Sequence, residues 1–235
     1  MPLPPGMSGT AVTAGQPHAP VPRRVFYLHG FASSSGSTKA GYFADRLRER
    51  GISLTCPDFN QPDFATLTLT RMLDQLGAAV TDDGPPVVLM GSSLGGTLAI
   101  LAAERFAKEV ERVVLLAPAV MFAKPGHHLL PPERIEEWRR RGALPFFHHA
   151  YKAERALHFS FYEDSLRHDA FGADIPQPTL VFQGLRDESV DYRTVEQFAR
   201  TRPNVTLSLL DDDHQLLASL PRMWEGISEF LGLST

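Results

Sequence analysis

Short, nearly unbroken apolar runs alternate along this chain with longer stretches in which apolar residues recur every three or four positions. Arg24-Val25-Phe26-Tyr27-Leu28, Ile52 to Cys56, Pro86 to Met90, Arg112 to Leu116, Pro178 to Gln183 and Val205 to Leu210 form the first kind. Runs of that length without polar alternation predict strands buried on both faces, as in a parallel sheet. Lys39 to Arg50 belongs to the second kind, with Ala40, Phe43, Ala44 and Leu47 on one stripe and Gly51 as its stop. Phe64 to Val80, the stretch around Thr97 to Ala103, and Pro221 to Leu231 read as helices in the same way. In the last of these Met223, Trp224, Ile227, Phe230 and Leu231 share a face, which predicts core packing. Alternation of strand and helix specifies an α/β fold, a doubly wound, mostly parallel sheet of about six strands.

Two segments break the rhythm. Residues 1–23 are rich in proline and glycine and poor in apolar residues, so they are expected to form a disordered leader ahead of a domain spanning residues 24–235. The leader has neither a charged start nor a continuous apolar core, and is read as no secretory signal. Residues 121–175 interrupt the alternation. They hold the pairs His127-His128 and His148-His149, a charged helix-like stretch Pro132 to Arg141, and two runs, Leu144 to Tyr151 and Arg155 to Tyr162, that can pair as a hairpin. An insertion at this place is expected to lie over the active site as a cap. Trp138, Phe146, Phe147, Phe159 and Phe161 are expected mainly in the cap core, with one or two lining a pocket. Adjacent histidines on a strand point to opposite faces, so neither pair is expected to hold a metal.

The chemistry concentrates where the third apolar run meets the following helix. Gly91-Ser92-Ser93-Leu94-Gly95 is a G-x-S-x-G between strand and helix. Such a turn presents a serine at a sharp corner that leaves no room for side chains on its neighbours. A serine nucleophile of this kind needs an acid and then a histidine further along. The loop after Pro178 to Gln183 offers Asp187, and His214 follows the last strand. Of the nine histidines only His214 lies beyond the acid, which makes it the first choice as base. Asp213, beside it, and Asp58, ahead of the serine, are weaker acids for the role. The negative charge that develops in acyl transfer requires two backbone N–H donors. Leu94, after the serine, supplies one, and Phe31, in the loop His29 to Ser34 after the first strand, supplies the other. His29 itself precedes the serine and is read as a brace for that loop.

Tyr27 to Ser34, Ser37-Thr38-Lys39-Ala40, Gly91 to Gly96 and Leu116-Ala117-Pro118-Ala119 together resemble the small bacterial α/β-hydrolases of the YqiA esterase type, over residues 24 to 234. That resemblance implies an α/β-hydrolase fold, carboxylesterase-like activity, a Ser93/Asp187/His214 triad, and backbone amides of Phe31 and Leu94 as oxyanion donors. The segment 121–175 is longer than in the smallest members, so the range of substrates is the least transferable property.

Composition narrows the function further. A net charge of −4 in 235 residues provides no basic field for nucleic acid or a membrane surface, and no stretch is long enough to span a bilayer. A single cysteine, Cys56, forms no intrachain disulfide and suits a reducing compartment. The expected protein is a cytoplasmic serine hydrolase acting on small or medium carboxylic esters without cofactor or metal. Two readings stand beside it: a thioesterase or small-peptide acyl hydrolase, since a triad is indifferent to the leaving group, and a hydrolase-fold binding protein without turnover.

Overall fold

The computed structural model describes residues 24–82 and 84–233, so the expected leader lies outside the described residues. Within them the strands are β1 (Arg24–Leu28), β2 (Ser53–Thr55), β3 (Val87–Ser92), β4 (Val110–Leu116), β5 (Ala143–His148), β6 (Ala153–His158), β7 (Thr179–Gly184) and β8 (Val205–Leu210). The helices are α1 (Thr38–Arg48), α2 (Leu69–Val80), α3 (Leu94–Arg105), α4 (Pro132–Arg141), α5 (Ser160–Ser165), α6 (Tyr192–Arg200) and α7 (Leu220–Phe230).

The main sheet has six strands in the order β2-β1-β3-β4-β7-β8, and every pairing is parallel. Alternate side chains along the strands enter separate cores, as a pleat of period two requires. Phe26, Leu28, Leu89, Val113, Leu115 and Val181 face α2, α3 and α6. Val25, Tyr27, Val88, Met90, Val114 and Phe182 face α1 and α7. Both faces are therefore covered, which is why the strands read as continuous apolar runs. The chain winds from β1 to β2 in one direction and from β1 to β3 in the other, and such a switch point opens a crevice at the carboxyl ends of the strands.

Helix starts follow local chemistry. The Ser37 hydroxyl accepts from the Ala40 N–H at 3.3 Å and the Thr68 hydroxyl from the Arg71 N–H at 3.0 Å. The cap at Thr68 corrects the expectation of a helix from Phe64: residues 64–67 are a turn, and α2 begins at Leu69. Gly51 adopts φ +72, the left-handed conformation that ends α1 as expected.

Residues 121–175, between β4 and β7, contain α4, the β5-β6 hairpin and α5. The hairpin forms, with Ala143 opposite His158 and His148 opposite Ala153. The second run departs from strand after His158, because a helical turn there brings Phe159 and Tyr162 together, rings 5.6 Å apart, against Trp138. Trp138 is fully buried, and its indole N–H donates to the Leu157 carbonyl at 2.8 Å. Phe161 and Phe159 are buried with it, whereas Phe147, expected in this core, is 55% exposed.

Candidate active site

β3 ends at Ser92 and α3 begins at Leu94, so Ser93 alone makes the corner, with φ 54 and ψ −118. A side chain on such a backbone is strained, and it persists only where its surroundings hold it. Here the Ser93 N–H donates to the Leu116 carbonyl at 3.0 Å, and the Ser93 carbonyl accepts from Gly96 and Ala119 at 2.8 and 3.2 Å. The glycines are demanded by close approach. A Cβ on Gly91 would stand 2.2 Å from the Gly95 carbonyl oxygen, and one on Gly95 would stand 1.9 Å from that of Leu28.

Loops after β7 and β8 bring Asp187 and His214 to this corner. The His214 Nδ1 lies 2.8 Å from Asp187 Oδ2, and its Nε2 lies 3.1 Å from Ser93 Oγ. Ionised Asp187 can only accept, so the His214 proton sits on Nδ1 and leaves Nε2 free to accept from the Ser93 hydroxyl. The Asp187 carboxylate takes three more bonds: Gln183 Nε2 at 2.8 Å on Oδ2, and the Ser189 and Val190 N–H groups at 2.8 and 2.9 Å on Oδ1. Burial pushes this carboxyl up, but the bonds from His214, Val190 and Gln183 together hold it below the usual carboxylate range. Asp213 instead accepts from the Gln215 N–H, and Asp58 from Asn60, so each shapes its own loop.

Leu94 is the first residue of α3, where an amide has no intrahelical acceptor. Phe31 lines both cavities that open at Ser93. Its loop is held from two sides. His29 Nδ1 donates to the Gly30 carbonyl at 3.0 Å while Nε2 accepts from the Phe59 N–H at 3.3 Å, so His29 is the expected brace. Burial lowers the pKa of this imidazole, in keeping with a neutral ring. From the cap, the His149 N–H donates to the Ala32 carbonyl at 2.9 Å, and His148 bonds Asn60, whose amide donates to the Ser33 carbonyl. The Phe31 ring packs on Phe64, Phe146 and Phe161 at centroid distances of 5.6, 5.5 and 5.6 Å.

The larger cavity, about 770 Å³, is walled on the cap side by Leu129, His149, Ala150 and Lys152. The smaller, about 410 Å³, lies beside Met121, Phe122 and Val190. None of Trp138, Phe146, Phe147, Phe159 and Phe161 lines them, which corrects the expectation that one or two of these aromatics line the pocket. Trp138 and Phe146 are consumed in packing the cap onto Phe31.

Two residues escaped the sequence reading. Gln183 is fully buried at the end of an apolar strand, and that polar break was its only signal. Lys39 falls on the same helical line as Phe43 and Leu47, four and eight residues on, and is buried with them. Strain also gathers here: Ala32, Ala117 and Leu216 have positive φ like Ser93, all in loops at the carboxyl ends of strands.

A parallel sheet wound on both faces, with a strained serine corner after its central strand and an Asp-His pair from the next loops, defines an α/β-hydrolase fold. The chain belongs to the uncharacterised protein family UPF0227, whose model matches residues 24–231. Solved structures of the same fold include Est1E from Butyrivibrio proteoclasticus with ferulic acid bound, 23% identical, covering 88% of this chain and 87% of that one at a TM-score of 0.76. Mouse alpha/beta hydrolase domain-containing protein 10 is 21% identical over 94% of this chain and 93% of its own, at a TM-score of 0.71. The monoacylglycerol lipase of Paleococcus ferrophilus is 16% identical over 90% and 95%, at 0.72. No curated protein sequence matches the chain. Among the described residues no helix is long and apolar enough to cross a membrane.

Proposed function

We propose that this protein is a serine hydrolase that cleaves small or medium carboxylic esters through an acyl-enzyme. The observation that carries the reading is the unbroken relay from Asp187 through His214 to Ser93, at 2.8 and 3.1 Å, ending on a serine held in a strained corner. In the first step Ser93 Oγ attacks the ester carbonyl as His214 Nε2 takes its proton. The tetrahedral oxyanion is met by the amides of Phe31 and Leu94, and Asp187 stabilises the imidazolium. The C–O bond to the alcohol then breaks as His214 returns the proton to the leaving oxygen. Water, deprotonated by His214, attacks the acyl-serine, and collapse releases the carboxylic acid and restores Ser93. The Phe31 amide is preorganised because the cap staples its loop, through His149 to Ala32 and through His148 and Asn60 to Ser33. We place the protein in the cytoplasm, on the ground of its lone cysteine, which suits a reducing compartment.

The test is labelling with a fluorophosphonate together with turnover of p-nitrophenyl esters. Wild type should be labelled on Ser93 and should hydrolyse acetate and butyrate esters. Ser93→Ala should lose both, with kcat down by several orders of magnitude. A wild-type protein that neither reacts with the probe nor turns over any ester would refute the reading and favour a binding protein built on the fold.

A further inference from the structure

The two cavities that meet at Ser93 differ in chemistry. The smaller is walled by Met121, Phe122 and Val190 but also by His127, His128 and the carboxylate-bearing Asp191. The larger is lined by Lys39, Lys152 and the hydroxyl-bearing Ser33, Ser34 and Ser37, and among the described residues no aspartate or glutamate lines it. That is unusual in a chain whose acidic residues outnumber its basic ones, 27 to 23. Lys39 is 8% exposed, and its Nζ donates to the Gln215 carbonyl at 3.0 Å. An ammonium has three hydrogens to give, so this bond leaves donors over. Burying such a group without a full set of partners is unfavourable. Lys39 also stands in the first turn of α1, which contains no acidic residue, so the positive end of that helix is left uncompensated beside the cavity.

Resting on the serine hydrolase reading, we propose that the larger cavity is a subsite for an oxyanion, a carboxylate or a phosphate, carried on one side of the scissile ester. The uncharged half of the substrate then occupies the smaller cavity, where Asp191 would repel a second anion. Lys39 supplies the desolvated charge from the back wall, Lys152 a second charge from the cap rim, and the three serines supply neutral donors between them. Burial lowers Lys39 to about 8, against the pull of Asp187, Asp213 and Asp212, so it remains cationic at neutral pH. A desolvated ammonium attracts an anion more strongly than a hydrated one does, because the water that would screen the pair is already gone.

The experiment compares esters of matched size: p-nitrophenyl butyrate with mono-p-nitrophenyl glutarate, and phenyl butyrate with 4-carboxyphenyl butyrate. Wild type should prefer the carboxylated member of at least one pair by tenfold or more in kcat/KM, mainly through KM, and the preference should shrink at 0.5 M salt, where charges are screened (about 4–5 Å Debye length). Lys39→Met should depress the carboxylated ester at least tenfold more than its neutral mate. Lys152→Gln, at an exposed position, should do so to a smaller degree and keeps the test open if the buried substitution perturbs folding. Inhibition of butyrate-ester turnover by glutarate or by inorganic phosphate distinguishes the two oxyanions. Equal rates on both members of both pairs would overturn the subsite. So would equal losses on charged and neutral esters in Lys39→Met, which would mean that Lys39 only holds the Gln215 loop. If no ester is turned over, calorimetric binding of glutarate and phosphate to Ser93→Ala, with and without Lys39→Met, decides the subsite apart from the catalytic reading. No lysine-dependent binding there would overturn it.

Discussion

Gln183→Leu tests whether Asp187 is held as a preorganised partner of His214 or merely lies near it. Leucine has nearly the volume of glutamine and the site is fully buried, so the change removes hydrogen bonding with little change of packing. Asp187 loses one of its four donors, the Nε2 bond of 2.8 Å on the same oxygen that faces His214. A hydrogen bond to a charged group contributes about 1.5–3 kcal/mol. Against this, the Gln183 Oε1 is buried without a partner, and its removal returns roughly 1 kcal/mol. The net loss of stability is therefore about 0.5–2 kcal/mol, a fall in melting temperature of about 1–8 °C for a chain of this size. The Ser189 and Val190 amides still orient the carboxylate, so kcat/KM on p-nitrophenyl butyrate should fall about 2- to 30-fold, the same 0.5–2 kcal/mol at about 1.36 kcal/mol per decade. Asp187→Ala should cost far more, on the order of 10⁴ in kcat, because the imidazole is then free to take the wrong tautomer. The pH dependence follows from the depressed carboxyl. Its contribution to stability is present above the ordinary carboxylate value, about pH 4, and is lost as pH falls through the lower folded value. Removing one depressing bond should move that loss to higher pH in denaturation curves between about pH 2 and pH 4. Wild-type activity and stability in Gln183→Leu would refute the reasoning, and so would a loss as deep as that of Asp187→Ala.

Ser93→Gly should be inactive yet more stable by about 1 kcal/mol in urea unfolding, since glycine adopts φ 54 and ψ −118 without strain; a less stable variant would show that the corner is relaxed. Gly95→Ala should fail to fold or lose several kcal/mol, as its Cβ would meet the Leu28 carbonyl at 1.9 Å and force α3 off β1; wild-type thermal unfolding would contradict this close approach. Lys39 is lowered to about 8 from 10.5, so between those values the unfolded chain holds a proton that the folded one has released, and stability rises with pH. The stability difference between Lys39→Met and wild type should therefore shift in favour of wild type by up to about 3 kcal/mol from pH 7 to pH 10.5, and a difference constant with pH would exclude the buried charge. Trp138→Ala should destabilise the cap by about 3–5 kcal/mol and lower activity on acetate and long-chain esters alike, because Phe146 links Trp138 to Phe31. Selective loss on long esters would instead place Trp138 at the pocket.

Much of this molecule is local and could be read along the chain. The six sheet strands were visible because a strand buried on both faces has no polar alternation to hide it, and Gly51 marks the end of the first helix through its missing Cβ. Ser93 was legible because an elbow demands glycines at fixed offsets, and His214 because no other histidine follows the acid. The segment 121–175 was visible as an interruption; its charged helix falls where the pattern put it and its hairpin forms, although the second strand ends at His158 and not at Tyr162. What the cap touches was not. Whether an aromatic residue lines a cavity or fills a core depends on which surface the cap meets, and here Phe31 drew Phe146 and Phe161 inward, with Trp138 packed behind Phe146. Gln183 and Lys39 stayed hidden for the same reason. A buried amide or ammonium is explained by its partner: Asp187 stands only four residues beyond Gln183, but the turn of its carboxylate is fixed by His214 from the loop after β8, and the Gln215 carbonyl that meets Lys39 lies 176 residues further along. Hydrophobic period, caps and glycine offsets act between neighbours in the chain, so the sequence by itself determined the elements, their winding and the serine corner. The 2.8 and 3.1 Å contacts among Asp187, His214 and Ser93, and the contrast between the two cavities, join residues up to 121 positions apart. Only the packing of sheet and cap decided those, because such distances are set by where the strands end in space.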